Sequence, residues 1–183
     1  MLLHAPAPMS DPTPPAFDLV TWGESMLRLA TPRGVALEGA PTLELAVGGA
    51  ESNLAIALAR LGRRVSWASR LPDHPLGRRI ARDIAAHGVD VSSVIWADGA
   101  EKAGLYFIEP GAAPRPNRVL YERRDSALAR LRAEELPAAF AAAGRVLHLT
   151  GITPALGEGC RLAWLASARQ ARAAGRLVSL DVN

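Results

Sequence analysis

A chain of 183 residues is long enough for one sizeable domain, and 49% apolar with 21% charged residues fits a globular chain rather than a disordered one. No apolar run approaches the roughly 20 residues of a membrane-spanning helix, and no basic stretch followed by an apolar one opens the chain as a secretory signal would. The net charge of +3 rests on basic residues that are nearly all arginine and are nowhere interleaved with aromatics, so neither nucleic acid nor a membrane is an expected partner.

Residues Met1 to Ala16 carry five prolines and little to bury, which predicts a disordered tail. The first strand is expected over Phe17–Trp22 and ends at Gly23-Glu24. Met26–Ala30 and Thr42–Val47 read as further strands, separated by a loop marked by Pro32, Gly34 and Gly39. Ser52–Leu61 reads as a helix with Leu54, Leu58 and Leu61 on one face, stopped by Gly62. A short strand over Val65–Ser69 precedes a second helix, Leu76–Ala86, which ends before Gly88. Ser93–Trp96 reads as a short strand. Gly104–Ile108 and Arg118–Arg123 read as a hairpin around a Pro/Gly loop. Glu134–Ala143 is expected to be helical, Arg145–Leu149 a buried strand, Glu158–Ala174 a long alanine-rich helix stopped by Gly175, and Leu177–Val182 a last strand. Strands alternating with helices predict an α/β domain with a mainly parallel sheet. The extra strands, about 26–47 and 104–123, do not fit helix-covered positions and are expected to form a separate small sheet.

Ligands of open α/β sheets bind beyond the carboxyl ends of the strands. Glu24, the Gly48-Gly49 pair with Asn53, the stretch Thr150-Gly151-Ile152-Thr153-Pro154, and Asp181 with Asn183 all fall there. Each alone is explained by ordinary loop or capping chemistry; their shared edge points to a site. The glycine pair permits close backbone approach, and the helix after it offers unpaired N–H groups. It lacks the third glycine of a dinucleotide fingerprint and the Gly-Lys-Ser/Thr of a Walker loop. Gly157-Glu158-Gly159 is explained by a loop entering a helix. Tyr121 and Arg123, two apart, share one face of the hairpin and lie near Tyr106. A phenol and a guanidinium so placed suit a ligand with a carboxylate and hydroxyls, though spacing alone allows a solvated face equally well. His4, His74, His87 and His148 have no metal-ligand spacing, and His148 reads as a core or supporting residue. Cys160, the single cysteine, excludes an internal disulfide, fits the cytosol and reads as filler on a helix.

Taken together, Thr21–Glu24, Val47–Ala55, Ala59–Gly62, His87–Asp90, Gly104–Tyr106, Val119–Ala127, His148–Leu156 and Val178–Asn183 resemble the N-terminal part of the PfkB, or ribokinase-like, carbohydrate kinases. The Leu-Thr-Gly-Ile-Thr-Pro-Ala-Leu stretch and the closing Ser-Leu-Asp-Val-Asn resemble the 2-keto-3-deoxygluconate kinases more narrowly. The resemblance implies a Rossmann-type, mainly parallel sheet with helices on both faces and a small β-sheet lid, all within one domain over 17–183. It implies sugar binding between lid and body, with Glu24, Gly48, Gly49, Asn53, Tyr106, Tyr121 and Arg123 as substrate-binding residues, the last three holding a sugar acid. It implies ATP and Mg²⁺ as cofactors of the intact enzyme, a cytoplasmic location, and a homodimer through the lid sheet. The family's Gly-Ala-Gly-Asp motif, whose aspartate is the catalytic base, does not occur here. The expectation is therefore a truncated, acceptor-binding portion, inactive alone, with its base beyond Asn183 and no cofactor or metal held by this portion. Alternatives are another PfkB sugar kinase such as a fructokinase, or a non-catalytic sugar-binding or oligomerisation module.

Overall fold

The computed structural model describes residues 15–111 and 113–183, so the expected tail lies outside the described residues but for its last two positions. In chain order the elements are β1 (Phe17–Trp22), β2 (Met26–Ala30), β3 (Glu44–Gly48), α1 (Ala50–Arg60), β4 (Val65–Ala68), β5 (Arg70–Pro72), α2 (Pro75–Ala85), β6 (Ile95–Ala97), β7 (Leu105–Glu109), β8 (Arg118–Glu122), β9 (Gly144–Thr150), α3 (Glu158–Ala173) and β10 (Leu177–Asp181). The body is a four-stranded parallel sheet in the order β10-β9-β1-β4. A second sheet runs β3-β2-β7-β8, with β2 and β7 parallel and both outer pairs antiparallel. β5 and β6 form a small parallel pair.

Alternation along β1 assigns its side chains to two cores. Leu19 joins Val65 and Trp67 beneath α1 and α2, where Ala55, Ile80 and Ile84 are buried. Val20 and Trp22 point the other way, into Leu147, Leu149, Phe140 and the α3 residues Cys160, Ala163 and Ala171. A parallel sheet covered on both faces needs such apolar strands, and each large side chain removed from water contributes about 1.5–3 kcal/mol. Helix α2 starts where His74 accepts the Leu76 N–H and Pro75 occupies the first turn. Past α1 and α3 the chain turns at Gly62 (φ 78°) and Gly175 (φ 70°), a left-handed conformation that favours glycine.

One expectation fails. The helix foreseen over 134–143 is absent; short 3₁₀ turns at Ala133–Glu135 and Phe140–Ala142 replace it. Pro137 lies between them. It lacks an N–H and drives the residue before it out of helical conformation, and Leu136 is extended at φ −68°, ψ 128°. The strand β5 was not anticipated, because three residues carry too little pattern.

Candidate functional site

The carboxyl end of β1 leads into the base of the second sheet, and Gly23-Glu24-Ser25 is the link that carries the chain from one sheet to the other. Glu24 is only 5% exposed. Its Oε2 accepts from Arg123 Nε at 2.7 Å and lies 2.6 Å from Nη2, while Oε1 accepts the Ser126 hydroxyl. A carboxylate so deeply placed requires such partners. Arg123 stands over the Tyr121 ring at 5.8 Å, and the Tyr121 and Tyr106 rings are 5.9 Å apart. The Tyr106 hydroxyl reaches Gly48, where a Cβ would come within 2.5 Å of it. At Gly49 a Cβ would overlap the Glu24 carbonyl oxygen. The two glycines thus have separate reasons: one makes room for a phenol, the other for backbone.

Beside this chain of contacts lies a second buried carboxylate. Glu51, in the first turn of α1 and 1% exposed, accepts the Thr150 hydroxyl at 2.6 Å and the Thr153 hydroxyl at 2.7 Å, both on Oε1. Burial pushes its carboxyl above the usual range, against the pull of the two hydroxyls and of the Arg123 charge. Gly23 packs on it so closely that a Cβ there would overlap the carboxylate. Glu51 therefore ties the start of α1 to the loop after β9.

The structure brings Glu24, Gly48, Gly49, Tyr106, Tyr121 and Arg123 into one contiguous cluster. Asn53 stands exposed on the first turn of α1, its N–H on the Gly49 carbonyl at 2.9 Å. The Glu24 carboxylate faces Arg123 and occupies the Nε/Nη2 edge of its guanidinium. Asp181 caps its own strand end by accepting the Asn183 N–H at 3.0 Å. His148 lies 3.1 Å from the Ser179 hydroxyl, and burial lowers its pKa against the pull of Asp181. Glu51 and Ser126 escaped the sequence reading. Thr150 and Thr153 were visible as polar residues after a strand, but their common partner lies 99 and 102 residues earlier. Among the described residues, no group of three or more His, Cys, Asp or Glu is placed to hold a metal ion.

A parallel α/β body, a projecting four-stranded sheet, and a rim of glycines, phenols and a guanidinium between them define a ribokinase-like α/β fold. Residues 16–182 match the family model for pfkB family carbohydrate kinases, and the chain belongs to that family. It is 43% identical over 166 residues to the 2-dehydro-3-deoxygalactonokinase of Haloferax volcanii, covering 91% of this chain and 52% of the relative. It is 35% identical to fructokinase-1 of Zea mays, covering 90% and 50%. The crystal structure of 2-dehydro-3-deoxygluconokinase from Thermotoga maritima superposes with a TM-score of 0.86 at 34% identity, covering 90% of this chain and 50% of that one. The chain thus spans about half the length of the relatives it matches.

Proposed function

We propose that this chain forms the acceptor-binding portion of an ATP-dependent sugar-acid kinase. The enzyme would move a phosphoryl group to the primary hydroxyl of 2-keto-3-deoxygluconate or of its C4 epimer, the galactonate. The observation that carries this reading is Arg123 held by Glu24 through Nε and Nη2, its guanidinium 5.8 Å from the centre of the Tyr121 ring, which in turn lies 5.9 Å from that of Tyr106. A planar guanidinium suits a carboxylate, and the phenols suit its neighbouring oxygens. The similarity to a 2-dehydro-3-deoxygalactonokinase and a 2-dehydro-3-deoxygluconokinase supports the same substrate class. A neutral sugar would gain little from Arg123, which is why fructose is the second choice despite the fructokinase likeness.

Phosphoryl transfer rests on positioning, charge neutralisation and a base for the hydroxyl. The residues described here bind and orient the acceptor. ATP and Mg²⁺ would supply the phosphoryl group and its charge neutralisation, and the base is assigned to a Gly-Ala-Gly-Asp segment outside this sequence. The test is an ATP-consumption assay on the protein with 2-keto-3-deoxygluconate, the galactonate epimer, fructose and ribose, each at the same concentrations. Selective turnover of the keto acids is expected. Equal turnover of fructose or ribose would defeat the substrate assignment. The 183-residue chain alone is expected to bind the acid without consuming ATP.

A further inference from the structure

Register in the second sheet places a further residue, Arg28, on the face that carries Tyr106, Tyr121 and Arg123. Arg28 of β2 pairs with Ala46 of β3 on one side and with Tyr106 of β7 on the other, and Tyr106 pairs with Tyr121 of β8. Directly opposed residues in neighbouring strands point to the same face. Ala46, Arg28, Tyr106 and Tyr121 therefore form one cross-strand row. Arg123, two residues beyond Tyr121, and Gly48, two beyond Ala46, belong to the same face. The alternate residues Leu27, Leu45, Val47 and Leu105 face the opposite way, into the core under α1 and α2.

Arg28 is poorly provided for where it stands. Its Nε is buried and has no hydrogen-bond partner among the described residues. Its one ion contact among the described residues is loose: Nη2 lies 3.7 Å from a Glu44 carboxylate whose side chain is 75% exposed. A buried donor without an acceptor is costly, and native chains keep few of them. Arg28 also acts on Tyr106, whose phenol is raised by burial and pulled back by the Arg28 charge. The guanidinium thus stands beside the ring that touches Gly48. Two strand spacings of about 4.8 Å separate Arg28 from β8, and Arg123 lies two residues further along that strand. The two cations thus share one face of the sheet, with Tyr106 on the strand between theirs.

We propose that Arg28 is a specificity-determining residue of this site, donating to an oxygen of the sugar acid at the end remote from the carboxylate held by Arg123. This rests on the sugar-acid reading and deepens it: Arg123 reads the acid group, and Arg28 reads the length and hydroxylation of the chain behind it. A three-carbon keto acid reaches the first and not the second.

The experiment is calorimetric titration of the protein with 2-keto-3-deoxygluconate, with pyruvate measured by competition against it, for the wild type, Arg28→Met and Arg28→Lys. Methionine keeps the apolar stem and removes every donor. Arg28→Met is expected to raise the Kd for the six-carbon acid about tenfold and to leave that for pyruvate within about twofold, with Arg28→Lys recovering part of the loss. An unchanged Kd for the six-carbon acid would overturn the proposal while leaving the sugar-acid reading intact. An equal loss for both ligands would overturn it too, because Arg28 would then act through the shape of the sheet. A wild type that binds fructose and not the keto acid would refute the reading of the site, and this inference with it.

Discussion

The glycines at 48 and 49 are neighbours in sequence, yet they should respond differently to the same change. Gly48→Ala places a methyl group against the end of the Tyr106 side chain, which can swing aside. The fold should be kept, and the KM for the sugar acid should rise about tenfold with a smaller change in melting temperature. Gly49→Ala meets the Glu24 backbone carbonyl, which cannot move without moving the link between the sheets. A loss of about 1–3 kcal/mol in urea denaturation is expected there. Glu51 offers a pH signature. Its folded carboxyl keeps its proton above the ordinary value of 4.5. Stability from this group is therefore complete below that value and is lost as pH rises through the folded value. Melting temperatures of wild type and Glu51→Gln, taken from roughly pH 4 to pH 8, should show the wild type losing ground as pH rises. At this scale the sequence exposed residue types and spacing but not partners. Tyr121 and Arg123 are legible as one face because two residues make one strand repeat. That Arg123 binds Glu24 is not legible, because 99 residues separate them.

Among elements, those with a full period were legible and those held together by one side chain were not. β1 and β2 fall on the residues their patterns predict, and α1, α2 and α3 differ only by a residue or two at their ends. The stretch from 98 to 136 is organised instead around Arg70. Its guanidinium forks onto Glu101 at 2.6 and 2.8 Å, reaches Glu135 at 3.2 Å and donates to the Ala127 carbonyl at 2.8 Å. One residue of β5 thereby fastens the approach to β7, the exit from β8 and the 3₁₀ turn after it. No local pattern encodes this, which is one reason the helix foreseen near 134 misled. Arg70 and its partners are largely buried, and removing one member of such a set leaves charge uncompensated. Arg70→Ala is expected to cost about 3–5 kcal/mol by denaturant titration. Arg70→Lys should recover only part of it, since an ammonium cannot make the fork.

At the level of the whole molecule, the two edges of the body sheet differ. β4 is buried throughout, whereas β10, at the other edge of the body sheet, is largely exposed. Leu177 at 71%, Leu180 at 51% and Val182 just beyond at 79% exposure leave apolar side chains beside a strand edge that no other described strand pairs. Such an edge is a template for pairing with another chain. The 183-residue chain is expected to self-associate with rising concentration and to melt broadly. Light scattering coupled to gel filtration, together with a thermal melt, checks this; a monomer with a sharp, high-temperature transition would contradict it. The alternation of strands and helices made the architecture legible. The pairing of β2 with β7 was not, because a parallel pair so far apart in sequence leaves no local signature.

The link Gly23-Glu24-Ser25 joins an inner strand of one sheet to an inner strand of the other, where a pivot between them would sit. Arg123 is bolted to that link through Glu24, whereas Arg28 and Tyr106 ride further out on the arm. Any tilt of the second sheet would sweep the outer pair through an arc while the Arg123 guanidinium stayed nearly still. An acceptor gripped by its carboxylate would keep that anchor in place as the rest of the wall closed along its length.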